Sequence, residues 1–270
     1  MHNPSSRHNK KQDVRSLSEW YRENRRMLPW RQNRDPYRIW ISETMLQQTT
    51  TTAVIPYFER FMARFATLKD LAQAKESEVI ALWAGLGYYS RARNLLKAAQ
   101  ALYADGGFKK SYKDLIEYPG LGPYTARAVS SIAFDEPVGV IDGNVIRVLS
   151  RKFNLKLQWW LPKEREKLQA LADELVAHGE SSEINQALME LGSQICVPKN
   201  ARCVMCPWLQ TCDGRKAGTH ENLPLKKPKR ASEFWFWQAE IQTQRDQIKI
   251  VKNATGSFLK GAWLLPGKMQ

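Results

Sequence analysis

Three features of the sequence predict a mainly α-helical chain that ends in a short β-rich segment. Apolar residues recur at helical spacing in segment after segment up to about residue 220, as expected of short helices that each bury one face. Strand-like alternation is almost absent over the same stretch. It begins only after LPLKKPKRA at 223–231, where two prolines and four basic residues mark a linker. Beyond it, FWFWQAEIQTQ and QIKIVKN read as two strands.

Residues 1–12 read as disordered, and a first helix is expected over 16–26 with Leu17, Trp20 and Tyr21 on it. Asp35 followed by Pro36 is a helix start: the carboxylate caps, and proline sits where its missing N–H costs nothing. That helix should run to about Gln48, and the threonines at 49–52 separate it from the helical AVIPYFERFMARF. Further helices are expected at about 68–73, 76–84, 90–104 and 112–117, with others starting near Pro123 and Asp142. GLGYYSRA at 85–92 and GLGPYTARA at 120–128 echo one another, and both look like tight hairpins leading into helices.

With 270 residues, 43% of them hydrophobic, the chain is long enough to bury an ordinary core. Its formal charge of +14, from 41 basic against 27 acidic residues, points to a polyanion partner, nucleic acid before others. A soluble protein with solvated Lys and Arg faces would carry the same charge. No apolar run approaches the ~18 residues of a membrane span. The polar start MHNPSSRHNKKQ lacks the apolar stretch of a secretory signal, so a cytosolic or nucleoid location is expected.

All four cysteines lie between 196 and 212, too close together to cross-link distant parts of a secreted fold. Cys196, Cys203, Cys206 and Cys212 are spaced C-x6-C-x2-C-x5-C, so one short loop can wrap four thiolates around a metal centre. Zinc sites use the same four ligands but usually as two C-x2-C knuckles, and here there is one. Zinc and an iron–sulfur cluster both remain open on spacing. Lys199 and Arg202 sit on the loop between the first two ligands, where they can face phosphates.

PGLG at 119–122 turns one short helix directly into the next, a helix-hairpin-helix. Gly120 and Gly122 let the backbone approach a phosphate while N–H groups at the next helix start point at the anion. Such a contact positions DNA without reading its sequence. An ordinary turn between two helices is the alternative.

Two carboxylates complete the picture. On a helix, Glu43 neighbours Ile39, Trp40, Leu46 and Gln47, a mostly apolar face on which desolvation raises its pKa and makes it an acid near neutral pH. Asp142 lies between VGVI and GNVIRVLSRKF, at a helix start where N–H groups stabilise an anion. An exposed helix-edge Glu and a routine Asp cap are the plainer readings. As a pair they meet the demand of N-glycosidic cleavage, in which an acid protonates the departing base and an anion stabilises the cationic sugar or attacks it. A base inside a duplex must first be flipped out and its gap filled. Gln48 and Tyr88 are candidates for that filling, though Tyr88 also reads as core.

LPWR, WISETMLQQT, GLGYYSRARNL, PGLGPYTA, VIDGNVIRVLSR, INQALMELG and the cysteine spacing occur together and in order, so that residues 17–225 resemble the adenine DNA glycosylases of the MutY type. These belong to the helix-hairpin-helix superfamily that includes endonuclease III. The resemblance implies a six-helix barrel domain at 30–135 and a [4Fe-4S] cluster domain at 136–222 that also takes in residues 1–29. A linker at 223–233 and a partial MutT-like segment at 234–270 would follow. It implies Glu43 as general acid, Asp142 as the carboxylate facing the oxocarbenium ion, and Asn144 as its orienter. Tyr124, Arg31 and Leu46 would line the adenine pocket, while Gln48 and Tyr88 probe the opposite base, normally 8-oxoguanine. The implied partner is double-stranded DNA with an A:8-oxoguanine or A:G mispair, bound by a monomer.

Endonuclease III relatives carry a lysine nucleophile at position 124. Tyr124 has no amine, so base removal without strand cleavage is expected, and DGN at 142–144, where those relatives have DTH, agrees. Rival readings are a bifunctional glycosylase and lyase, or a non-catalytic iron–sulfur DNA-binding protein. One departure stands out: Arg127 replaces the usual glycine, which predicts bulk and charge near the DNA path and either a tighter phosphate contact or a small shift of the helix.

Overall fold

The computed structural model describes residues 9–47, 49–228, 236–253 and 262–269. They fall into two compact units, residues 1–227 and 228–270. The first holds α1 (Lys10–Asn24), α2 (Pro36–Leu46), α3 (Thr51–Arg64), α4 (Leu68–Ala72), α5 (Glu76–Trp83) and α6 (Tyr89–Ala104). They are followed by α7 (Tyr112–Leu115), α8 (Pro123–Phe134), α9 (Gly143–Lys152), α10 (Pro162–Val176), α11 (Ser181–Gln194) and α12 (Asp213–Lys216).

Two hydrophobic cores organise this unit. One gathers buried residues between Leu28 and Val140, with α2 at its centre. Tyr37, Ile39, Trp40, Ile41 and Met45 of α2 are all buried, the state of a helix enclosed on every side. The other core joins Val14, Leu17 and Tyr21 of α1 to α9, α10, α11 and Trp208. The chain thus starts in one lobe, builds the other, and returns through 138–142.

Helix α1 begins six residues earlier than the sequence suggests. Asn9 caps it through the Gln12 N–H, and Lys10 and Asp13 are buried with it. The apolar stripe alone misses this turn because its stabilising residues are charged and their partners distant. Lys10 pairs with Glu174, and Asp13 with Lys152 at 2.8 Å. Lys152 is 1% exposed and also donates to the Thr211 carbonyl and hydroxyl at 3.0 and 2.5 Å. Trp208 Nε1 donates to the Asp13 carbonyl at 2.8 Å. One buried ion pair therefore joins α1, α9 and the cysteine-bearing loop.

Both glycine hairpins form, and they pack together. Gly120 has φ of +83°, and a Cβ there would sit 2.8 Å from Cβ of Asn94 on α6, the helix that leaves the first hairpin. Gly122 is extended, and a Cβ there meets nothing within 4 Å. Only Gly120 is required by the backbone; Gly122 leaves open surface at the start of α8.

Arg127 differs from the sequence expectation. Its Nη1 donates to Asp173 Oδ1 at 2.8 Å and to the Gly139 carbonyl at 3.3 Å, and the guanidinium stacks 4.4 Å from the Tyr112 ring centre. These partners engage it within the fold instead of leaving it for a phosphate.

In the second unit the two expected strands are six short ones in three antiparallel pairs among the described residues. β1 (Trp237–Ala239) pairs with β6 (Gly267–Met269), β2 (Thr243–Gln244) with β3 (Gln247–Ile248), and β4 (Val251–Lys252) with β5 (Trp263–Leu264). ATGSFLKG, at 254–261, lies outside the described residues, as does Gln48. No helix among the described residues is long and apolar enough to cross a membrane.

Removing Lys152 leaves Asp13 charged and buried, a change that costs about 3–5 kcal/mol in other proteins. Lys152→Ala should lower the thermal midpoint by roughly 6–20 °C, whereas Lys152→Met combined with Asp13→Leu should recover most of that loss. Circular dichroism melts of the three proteins provide the check; an unchanged midpoint for the single variant would remove the ion pair from the account.

Candidate functional site

Helix α2 and the start of α9 face one another across a pocket of about 520 Å3 lined by Glu43, Leu46, Tyr124, Asp142, Asn144 and Arg31, among others. All six are sequence candidates, Glu43 and Asp142 from the residues themselves and the others from the resemblance, and the pocket unites both lobes. Its volume suits a nucleobase-sized ligand.

Glu43 is 7% exposed, because α2 is enclosed on all sides. Burial is the main cause that raises its pKa to about 7; the neighbouring Asp142 charge adds to this, while the Tyr124 hydrogen bond and Arg31 oppose it. The Tyr124 hydroxyl donates to Glu43 Oε2 at 2.6 Å. Burial and the Glu43 charge hold that phenol well above its usual range, so it remains a neutral donor.

Asp142 caps α9, accepting the Val145 N–H at 2.7 Å on Oδ1 and the Asn144 side-chain amide at 2.8 Å on Oδ2. Burial pushes its pKa up, and these donors pull it back. Of the two coupled carboxyls, Asp142 has the better-compensated anion and Glu43 the stronger hold on a proton.

Several residues of the site have no local signature in the sequence. Arg147, one turn into α9, donates from Nη2 to Asn144 Oδ1 at 2.8 Å and from Nε to the Cys196 carbonyl at 2.6 Å, so it braces the amide that braces Asp142. Glu190, fully buried on α11, pairs with Arg26 at 2.6 Å and Arg31 at 2.8 Å. Burial alone would raise the Glu190 pKa, but the two guanidiniums bring it down to about 2. The sequence offers only the INQALMELG helix as a hint of this residue.

Tyr88, Lys199 and Arg202 do not line the pocket. Tyr88 is 62% exposed and left-handed, with φ of +48°, at the start of α6. Arg91 Nη1 donates to the Thr44 and Gln47 carbonyls at 2.9 and 2.6 Å, and its guanidinium lies 5.3 Å from the Tyr88 ring centre. The end of α2 is thereby joined to the turn that presents Tyr88. Lys199 and Arg202 are exposed on a loop closed by the Arg202 N–H to the Ile195 carbonyl at 2.9 Å, with Asn200 in the left-handed region at its bend.

The four cysteines line one enclosed cavity of about 30 Å3 with Arg151 and His220. Arg151 is buried; Nη1 lies 3.6 Å from Cys196 Sγ and 2.8 Å from the Val197 carbonyl, and Nη2 3.0 Å from the Pro198 carbonyl. Burial pushes the Cys206 thiol up to about 12, which disfavours free thiolates without a bound cation. Among the described residues, no three His, Cys, Asp or Glu side chains are grouped closely enough to hold one metal ion. Four thiols around one cavity, with a buried guanidinium beside them, are a donor set that suits a thiolate-bound metal centre.

Residues 41–178 match the family model of the HhH-GPD superfamily of base excision DNA repair proteins. The chain is 36% identical over 253 residues to an adenine DNA glycosylase of Buchnera aphidicola subsp. Schizaphis graminum (strain Sg), covering 92% of this chain and 72% of that protein. It is 40% identical over 219 residues to the adenine DNA glycosylase of Homo sapiens, covering 77% of this chain but 40% of the human protein. Among solved structures, a thermostable thymine-DNA glycosylase aligns with a TM-score of 0.69 at 29% identity, over 77% of this chain and 98% of that one.

A carboxyl whose pKa is raised on folding binds its proton more tightly in the folded state, so stability falls as pH rises from the unfolded value near 4.5 to about 7 and stays low above it. Glu43→Gln removes that dependence. The variant should be more stable than the parent at pH 8, by about 2–4 kcal/mol, and close to it at pH 4.5. Urea unfolding at the two pH values tests this, and equal stabilities at pH 8 would contradict a raised pKa.

Proposed function

The chain belongs to the HhH-GPD superfamily of base excision DNA repair proteins and, within it, to the adenine DNA glycosylase family; from that membership we propose that it hydrolyses the N-glycosidic bond of adenine opposite 8-oxoguanine or guanine in double-stranded DNA. The product is free adenine and an abasic site. The observation that carries this reading is the pair of buried carboxyls in one pocket, Glu43 with a pKa of about 7 and Asp142 hydrogen-bonded by Val145 and Asn144, donors that favour its anion against burial.

Glu43, kept substantially protonated near neutral pH by its raised pKa, gives its proton to the departing adenine as the glycosidic bond breaks. Tyr124 holds the carboxyl in place and donates to the anion that remains. Asp142 faces the sugar, where it stabilises the oxocarbenium ion or adds to it, and water completes the hydrolysis. Asn144 fixes the Asp142 rotamer. Arg31 and Leu46 line the adenine pocket, with Arg26 and Glu190 behind Arg31. Tyr88 and Gln48 probe the opposite base from within the stack, and Gly120, Gly122, Lys199 and Arg202 contact phosphates. Tyr124 supplies no amine, so no Schiff base forms with the sugar and the strand is left intact.

Cys196, Cys203, Cys206 and Cys212 would hold a [4Fe-4S] cluster in the domain that spans about 136–222 and includes α1. With every iron ligated by thiolate, such a cluster supplies structural order to the Lys199–Arg202 loop rather than an open coordination position. The enzyme acts as a monomer in the cytosol or nucleoid.

Single-turnover assays on duplexes with A opposite 8-oxoguanine or guanine should show adenine release without strand cleavage, and borohydride should trap no covalent adduct with abasic DNA. Because the reaction uses protonated Glu43, its rate should fall as pH rises through about 7. Glu43→Gln should slow release by about 10²- to 10⁴-fold with DNA affinity largely retained. No release from either duplex by the unaltered chain would falsify the proposal.

A further inference from the structure

Arg127 lies one turn beyond Tyr124 on α8, and the contacts of its guanidinium converge on the segment that carries Asp142. Asp173 Oδ1 on α10 accepts from Arg127 Nη1 at 2.8 Å, from the Gly139 N–H at 2.7 Å and from Gln169 Nε2 at 3.0 Å. The Gly139 carbonyl in turn accepts from Gln169 Nε2 at 2.8 Å and Arg127 Nη1 at 3.3 Å. Both ends of this peptide are therefore held, and it lies directly against α10: a Cβ on Gly139 would sit 2.5 Å from the Ala172 carbonyl carbon. One residue on, the Val140 N–H donates to Asn185 Oδ1 at 2.9 Å, and Asn185 Nδ2 donates to the Val138 carbonyl at 2.9 Å. Asp142 follows two residues later.

Asn185, Gln169 and Asp173 tie the segment to the lobe of α10 and α11. Arg127 comes from the opposite lobe. It is braced by stacking on Tyr112 of α7 and is mostly buried, with 16% of its side chain exposed. A partly buried, charge-assisted hydrogen bond of this kind is stronger and more directional than a surface ion pair.

We propose that Arg127 is a positioning residue, joining the Tyr124 helix to the Gly139–Asp142 segment so that the Asp142 carboxylate is held opposite the Glu43–Tyr124 pair. The two reacting groups reside on different lobes, and Arg127 spans the seam between them, three residues from Tyr124 on one side and bonded on the other to Gly139, three residues before Asp142. The inference rests on the reading that Glu43 and Asp142 act on the same nucleotide. Misplacement by about 1 Å is enough to cost up to about 10²-fold in rate.

The test uses the full chain with Arg127→Ala, Asp173→Asn, the double variant and the charge exchange Arg127→Asp with Asp173→Arg. The single-turnover rate constant per active site is measured beside affinity for a duplex whose target adenosine carries a 2′-fluorine, which disfavours the sugar cation and prevents release. Each single variant should lose about 10- to 100-fold in rate constant, with affinity changed less than about twofold and its salt dependence unaltered. The double variant should be no slower than the worse single one, since both remove the same link, and the charge exchange should regain part of the rate. Weaker binding with a salt slope reduced by about 1, at an unchanged rate constant, would make Arg127 a phosphate contact and overturn the proposal. A lower melting temperature with the rate constant unchanged would overturn it equally, by reducing Arg127 to a stabilising residue. Release by the unaltered chain, measured in parallel, separates these failures from failure of the proposed reaction.

Discussion

Glu43 is kept from water by a helix that has no free face. Burying Tyr37, Ile39, Trp40, Ile41 and Met45 leaves no rotation of α2 that exposes position 43 without exposing large apolar area, at roughly 25 cal/mol for each Å2 returned to water. The hydrophobic core is therefore the main cause of the raised Glu43 pKa, with the Asp142 charge adding to it. The same enclosure dictates what surrounds the carboxyl. Tyr124 must meet it with a hydrogen bond, because a buried carboxyl without a donor or acceptor would be costly.

The arginines of the pocket are arranged so that this raised pKa survives. Arg31 acts to lower the Glu43 pKa, and an unpaired guanidinium so near would oppose the effect of burial more strongly. Its charge is instead shared with Glu190, which also takes Arg26. At the opposite wall, Arg147 holds Asn144, Asn144 holds Asp142, and the Arg147 charge itself lowers the Asp142 pKa. The positive charge is thus placed where it steadies Asp142 and kept from stripping the proton from Glu43. Two chemically similar side chains acquire different states through their neighbours.

What could be read from the sequence divides along the distance between interacting residues. The start of α2 was legible because Asp35 and Pro36 act within one turn, and the candidate site residues were legible as short motifs. The start of α1 was not, because Lys10 and Asp13 are stabilised by Glu174 and Lys152, 164 and 139 residues away. Glu190 escaped for the same reason, its partners Arg26 and Arg31 lying 164 and 159 residues away, and so did the Arg147 contact to the Cys196 carbonyl, 49 residues away. Arg127 shows the limit most plainly. Its replacement of glycine is visible in the chain, but the direction of its side chain depends on Asp173 and Tyr112, which no periodicity connects to it. Local chemistry identified the groups; the fold determined which of them face one another.

Position 124 ties the acid to the outcome of the reaction. An amine facing Glu43 at the 2.6 Å separation now spanned by the tyrosine hydroxyl would share a strong charge-assisted hydrogen bond with the carboxyl and, when protonated, favour its anion. Glu43 would then titrate well below neutrality, as carboxylates beside cations do, and lose its proton before the base could take it. A neutral phenol avoids this, because burial and the Glu43 charge keep it from ionising. The residue that offers no amine is the same one that lets Glu43 keep its raised pKa, so the proposed base removal without strand cleavage and the proposed acid role of Glu43 both rest on a single side chain.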